Sequence, residues 1–89
     1  MGEVTNISWT AHGWEEYLWW QKNDPKTLKR VNALIKDILR GGHQGLGKPK
    51  PLKHGLSQYW ARRITDEHRL VYKLEAEEVL IVSCRYHYF

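Results

Sequence analysis

The run Val79-Leu80-Ile81-Val82-Ser83-Cys84-Arg85-Tyr86-His87-Tyr88 decides the fold. It opens with four apolar residues, three of them β-branched, and closes in alternating basic and aromatic side chains. Such a run reads as a strand that starts deep in a sheet and emerges at an edge or cleft. Alternation puts Leu80, Val82, Cys84 and Tyr86 on one face and Ile81, Ser83, Arg85 and His87 on the other. The first set reads as core. The second carries a histidine to an open surface, where an imidazole is ordinary until other chemistry gathers around it.

Three runs upstream supply the rest of the sheet. Leu52 to Leu56, Tyr59 to Thr65 and Arg69 to Leu74 are rich in β-formers and separated by turn residues, which predicts a meander of antiparallel strands. A three-residue loop, Asp66-Glu67-His68, pairs Arg63 with Val71 and keeps Arg63, Arg69 and Val71 on the face opposite Ile64, Leu70 and Tyr72. That register separates polar from apolar, and no glycine stands at Asp66-Glu67 to make a tighter turn. The expected covered face is Trp60, Ile64, Leu70, Tyr72, Leu74, Leu80, Val82, Cys84 and Tyr86. The open face offers Arg63, Arg69, Arg85 and His87. Beside it runs an extended loop from Gly42 to Pro51, in which Gly45, Gly47 and Pro49 forbid helix and Lys48 and Lys50 add charge.

The N-terminal half predicts what covers that sheet. Ile7-Ser8-Trp9 reads as a short strand and Thr10 as a helix cap, with a helix from Ala11 to about Asn23 whose apolar positions are Trp14, Tyr17, Leu18 and either Trp20 or Gln21. Trp14, Trp19 and Trp20 read as core packing, with Trp19 partly exposed. Asp24-Pro25 starts a second helix, with Asp as cap and Pro in the first turn. It runs to about Arg40 on a stripe of Leu28, Val31, Leu34, Ile35, Ile38 and Leu39, and Gly41-Gly42 ends it. Helices so closely joined form an antiparallel hairpin. The expected fold class is α+β, a helical hairpin on one face of a small, mainly antiparallel twisted sheet in the order β-α-α-β-β-β-β.

Length and charge bound the function. Eighty-nine residues make one domain, spanning 1–89, with a core that needs no disulfide or metal. The single cysteine, Cys84, reads as a buried thiol in a cytoplasmic chain, and no stretch is long and apolar enough for a membrane span or leader. Of the net charge of +4, the segment from 41 to 74 alone carries seven basic and two acidic residues. Concentrated positive charge points to a polyanion, and its interleaving with Tyr59, Trp60, Tyr86 and Tyr88 suits single-stranded nucleic acid.

Arginines converging with a histidine on an open sheet suit RNA cleavage without a metal. The 2′-hydroxyl must lose a proton, the phosphorane charge must be held, and the departing 5′-oxygen must be protonated. Guanidinium serves the second need and imidazole the third. Five scattered histidines and one cysteine show no metal-ligand spacing, so no cofactor is expected. From the residues alone, a ribonuclease, an RNA-binding module and a protein-binding module stay open.

Four strings narrow the choice. Gly47-Lys48-Pro49-Lys50-Pro51-Leu52-Lys53-His54-Gly55-Leu56-Ser57, Tyr59-Trp60-Ala61-Arg62-Arg63-Ile64-Thr65, Glu67-His68-Arg69-Leu70-Val71-Tyr72 and Cys84-Arg85-Tyr86-His87-Tyr88 together resemble the YoeB/Txe toxins of the RelE/ParE superfamily. The resemblance runs from Ile7 onward and includes Trp14-Glu15-Glu16-Tyr17 and Ile35-Lys36-Asp37. It implies the toxin of a type II toxin–antitoxin pair, a ribosome-dependent endoribonuclease that cuts messenger RNA and is blocked by a YefM-like antitoxin that folds on binding. A homodimer stays open. The implied catalytic residues are Arg69 as transition-state stabiliser, His87 as general acid and Tyr88 as a base-stacking or positioning residue. Lys48, Lys53, Arg63 and Arg85 are the implied RNA contacts.

One position departs from the family pattern. The loop there usually reads Lys-Pro-Glu-Pro with the glutamate as general base, and here that position is Lys50. A protonated lysine cannot accept a proton. The readings are therefore an active ribonuclease with an unusual base, Lys50 being the catalytic residue at that position, or an attenuated toxin that binds antitoxin and ribosome without efficient cleavage. A ParE-like inhibitor of a DNA enzyme is disfavoured by the terminal Arg-Tyr-His-Tyr and the Arg63/Arg69 pair. A further difference is Phe89, which follows the usual terminal tyrosine.

Overall fold

A computed structural model describes residues 4–53 and 58–86, and the expectations for His54 to Ser57 and for His87, Tyr88 and Phe89 lie outside the described residues. The elements are β1 (Asn6–Trp9), α1 (Ala11–Asn23), α2 (Pro25–Gly41), β2 (Lys50–Pro51), β3 (Tyr59–Arg63), β4 (Arg69–Glu75) and β5 (Glu78–Ser83). The described strands form one sheet in the order β1-β5-β4-β3-β2. β1 runs parallel to β5 and the other pairs are antiparallel, so the α+β hairpin-on-sheet fold expected from the sequence is the one observed.

The helix ends follow from their caps. Thr10 Oγ1 accepts the Gly13 N–H at 2.9 Å and donates to the Val82 carbonyl at 2.9 Å, so one hydroxyl both starts α1 and ties it to β5. Asp24 caps α2 through the Thr27 N–H and hydroxyl, with Pro25 where a missing N–H costs nothing. Gly42, at φ +67°, ends α2 and donates its N–H to the Ile38 carbonyl. Val31, Leu34, Ile35 and Ile38 of α2 are buried as their spacing predicts. Each such side chain contributes roughly 1.5–3 kcal/mol on leaving water.

α1 seats itself differently from expectation. Its buried residues are Gly13 and Trp20, with Tyr17 half-buried, whereas Trp14 and Leu18 are 45% and 41% exposed. The cause is Gly13: a Cβ there would lie 2.7 Å from the Ile81 carbonyl oxygen, so α1 rests backbone-to-backbone on β5. Trp20 then reaches inward and donates Nε1–H to the Cys84 carbonyl at 2.7 Å, while Trp14 stacks on Tyr17 and meets Trp9 edge-on.

Four features of the sheet also differ from expectation. In β5, Val79 and Ile81 are fully buried while Leu80 and Val82 are only half-buried, the reverse of the expected phase. Val71 pairs with Ser83 and Tyr72 with Ile81, so Val82 is an extra residue at a β-bulge. That bulge shifts the phase, and Ile81 and Cys84, an odd number apart, both reach the core. The strand stops at Ser83, and Tyr86, expected in the core, is 56% exposed. In the β3–β4 hairpin, Arg63 pairs with Arg69 and Ala61 with Val71, two residues away from the expected register. A slip of two preserves faces: Leu70 and Tyr72 still point to the helices and Arg63 and Arg69 still share the other side. The short β2, Lys50–Pro51, makes the pairing with Trp60 and Ala61, and Leu52 and Lys53, the described part of the strand expected over Leu52 to Leu56, are not strand.

Candidate active site

The open face gathers four of the expected basic residues. Gly47, Lys48, Lys50, Ala61, Arg63 and Arg69 line one cavity of about 90 Å³, and no carboxylate is among them. β2 brings Lys50 opposite Ala61, while β3 and β4 present Arg63 and Arg69 directly across the ladder. Lys48 sits just before β2 with φ +52°, a left-handed conformation that costs a non-glycine residue of order 1 kcal/mol. Three consecutive turns of chain thus end on one patch of positive charge.

Arg69 is held rather than loose. Its Nη1 donates to the carbonyls of Thr65 at 2.7 Å, His68 at 3.0 Å and Asp66 at 3.3 Å, so the loop beyond β3 wraps the guanidinium. Arg63 is more open, 45% exposed, with Asp66 Oδ1 at 3.6 Å from its Nη1. Its backbone is fixed at both ends, the N–H donating to the Gly47 carbonyl at 2.7 Å and the carbonyl accepting from Arg30 Nη2 at 3.1 Å.

The chain after β5 leads to this site along a hydrogen-bonded path. The Cys84 N–H donates to Glu16 Oε1 and the Tyr86 N–H to His68 Nδ1, both at 2.7 Å, and the Arg69 N–H donates to the Tyr86 carbonyl at 3.1 Å. Tyr86 therefore lies beside Arg69, and His87 and Tyr88 follow it in sequence, outside the described residues. Burial first, and the Glu16 carboxylate next, push the Cys84 thiol up to about 12, which removes it as a nucleophile near neutrality.

Other expected contacts fall elsewhere. Arg85 does not join Arg63 and Arg69: its guanidinium stacks on Trp19, 3.5 Å from the ring centroid, in a separate depression with His12, Glu15, Glu16 and Tyr86. The strand's early end explains this, since alternation no longer governs residues past Ser83. Lys53 is exposed and lies outside the cavity lining.

Arg62 was read from the sequence only as one more positive charge, yet it is completely buried on the helix side of β3. Its Nε donates to the Tyr72 hydroxyl at 3.2 Å, Nη1 to Asp37 Oδ2 at 2.7 Å and the Leu46 carbonyl at 3.1 Å, and Nη2 to the carbonyls of Gly42 and Gln44. The Arg62 hydrogen bond and the Leu46 N–H hold the Asp37 carboxyl below its ordinary range. The available signal was position: Arg62 lies one residue from an outward-facing arginine and two from Trp60 and Ile64, so alternation alone sends it inward.

A family model described as the YoeB-like toxin of bacterial type II toxin–antitoxin systems matches residues 9–88. The Toxin YoeB of Synechocystis is 56% identical over 82 residues, covering 92% of this chain and 95% of its own. Among solved structures, the YoeB dimer from Staphylococcus aureus superposes with a TM-score of 0.89 at 44% identity, covering 96% of this chain and 99% of that one. The toxin in a heterotetrameric YoeB–YefM toxin–antitoxin complex from the same organism superposes at 0.87 with 45% identity, covering 93% and 97%.

Proposed function

The chain belongs to the YoeB-like toxins of bacterial type II toxin–antitoxin systems, and from that premise we propose that it cuts messenger RNA on the ribosome as a metal-independent endoribonuclease. The observation that supports this most is the convergence of Lys48, Lys50, Arg63 and Arg69 on one cavity, with the Arg69 guanidinium already anchored. Four cations around a space of that size suit a phosphodiester that must gather further negative charge in its transition state.

In the proposed reaction the 2′-oxygen attacks the adjacent phosphorus as it loses its proton. Arg69 and Arg63 hold the equatorial phosphorane oxygens, using the fixed fork and permanent charge of guanidinium. The P–O5′ bond then breaks, leaving a 2′,3′-cyclic phosphate, and the His87 imidazolium protonates the departing 5′-oxygen. Tyr88 stacks on or positions a neighbouring base, Lys48 adds a cation beside the scissile phosphate, and Lys53 and Arg85 bind RNA outside the reacting atoms. Lys50 acts as a cation on a phosphate oxygen, with water taking the 2′-proton.

That the described residues lining the cavity include no carboxylate supports a second reading, an attenuated toxin that binds antitoxin and ribosome but cuts slowly. Primer extension on a ribosome-bound message separates the two. Discrete, ribosome-dependent stops with the unaltered chain support cleavage, and intact message at saturating toxin supports attenuation.

The proposed partners are a YefM-like antitoxin and a second copy of the chain, by analogy with the two Staphylococcus aureus assemblies. Action on ribosomes places the protein in the cytoplasm, and no helix among the described residues is long and apolar enough to cross a membrane.

A further inference from the structure

Arg62 and Arg63 are neighbours with opposite fates, and the buried one bears on the exposed one's chemistry. A guanidinium has five N–H donors. In Arg62 these meet five acceptors: the Tyr72 hydroxyl, Asp37 Oδ2, and the carbonyls of Gly42, Gln44 and Leu46. Three of the five belong to the loop between α2 and β2. A buried cation so completely matched to one backbone path selects that path, because any other leaves charged donors unpaired away from water.

The glycines show how tightly the path is drawn. Gly45 has φ +128°, and a Cβ there would stand 1.9 Å from Asp37 Oδ2. Gly47 has φ +84°, its added Cβ would meet the Arg62 Cβ at 3.1 Å, and its carbonyl receives the Arg63 N–H at 2.7 Å. Asp37 closes the loop from the other side, because the same Oδ2 that takes Arg62 also accepts the Leu46 N–H at 2.9 Å. The next residues in the chain are Lys48 and, two further on, Lys50, both in the cavity lining.

We propose that the pair of buried Arg62 and half-buried Asp37 is a positioning latch: it clamps the loop from Gly42 to Gly47 on β3 so that Lys48 and Lys50 meet Arg63 and Arg69 around the scissile phosphate. Arg62 touches no RNA and acts through the backbone it holds. This rests on the proposed cleavage reaction, in which small misplacements of charged groups cost rate rather than binding.

Two variants attack the latch from opposite sides without emptying the core. Asp37→Asn removes the charge opposite Arg62 at a side chain that is 21% exposed, and Gly45→Ala drives a methyl into the Asp37 contact at an exposed turn. Each is measured as full-length toxin for thermal unfolding, amide exchange at Leu46 and Arg63, and single-turnover cleavage over a range of ribosome concentrations. The latch requires faster exchange at both amides and kcat lower by about 10–10²-fold with KM within about three-fold, while cooperative unfolding is kept. A simple loss of folded protein would instead lower the active fraction in proportion to unfolding and leave the exchange pattern of the folded remainder unchanged. The proposal is overturned if exchange is unaltered in both variants, or if the loop loosens and kcat stays within two-fold of the unaltered chain. An unaltered chain that cuts no message refutes the cleavage reaction, and with it the positioning role, whatever the exchange shows.

Discussion

Lys50→Glu is the substitution whose outcome says most about the chemistry. It replaces one of four cations lining the cavity with a carboxylate, so the local charge falls by two units while Lys48, Arg63 and Arg69 remain. Each unit in contact with a phosphate, about 4 Å away in a solvent-open site, is worth about 1 kcal/mol, so RNA engagement should weaken by about 2 kcal/mol, seen as a KM rise of roughly 30-fold. The same change supplies a carboxylate where the described lining residues have none, and general base catalysis is typically worth about 10²–10⁴ in rate. The expected result is a kcat at least about ten-fold higher, partly offset at low ribosome concentration by the weaker binding. Single-turnover primer extension with intact ribosomes and no antitoxin, at several concentrations of both chains, resolves the two effects. A kcat that is unchanged or lower in the Glu variant refutes the reasoning and means that this site does not run on a carboxylate base.

Arg69→Ala and His87→Ala should each lower kcat by about 10²-fold or more with antitoxin binding retained, and near-normal cleavage by both would remove them from the mechanism. The Arg69 change should also cost about 1–2 kcal/mol in urea unfolding, since its side chain donates to three loop carbonyls. The Asp37 carboxyl is held below its ordinary range by Arg62 and the Leu46 N–H, so the folded state binds that proton more weakly than the unfolded chain. Its contribution is therefore complete above the ordinary carboxylate range and is lost as pH falls through the lowered folded value; Asp37→Asn should flatten the acid limb of stability, and an unchanged limb counts against the pairing. Cys84, pushed up to about 12 by burial and Glu16, should resist thiol-alkylating reagents at pH 8 in the folded protein and react only on unfolding; rapid labelling of native protein would contradict its burial.

The limits of the sequence reading fall at identifiable residues. Patterns with a local cause were legible: the α2 stripe from Leu28 to Leu39, the Thr10 and Asp24 caps, and the glycine stop at Gly42 matched the observed helices. Arg63 and Arg69 were placed together correctly even though the hairpin register was off by two, because a two-residue slip keeps every side chain on its face. The burial phase of β5 failed for the complementary reason. One bulged residue, Val82, reverses parity, and nothing in an unbroken apolar run marks where a bulge will fall.

The amino-acid order by itself determined both helices and the strands β1, β3, β4 and β5, the sign of the central charge and the family to which the chain belongs, because propensity, capping and motif spacing are local properties. Only the tertiary structure decided that Gly13 lets α1 lie on β5, that Arg85 stacks on Trp19 away from the other arginines, and that Arg62 spends three of its five donors on a loop far from it in sequence. Adjacent arginines are equivalent in composition, and the sheet makes them different. Its pleat sends one into the core, where an unpaired donor would be costly, and the other to the surface, where the cavity forms.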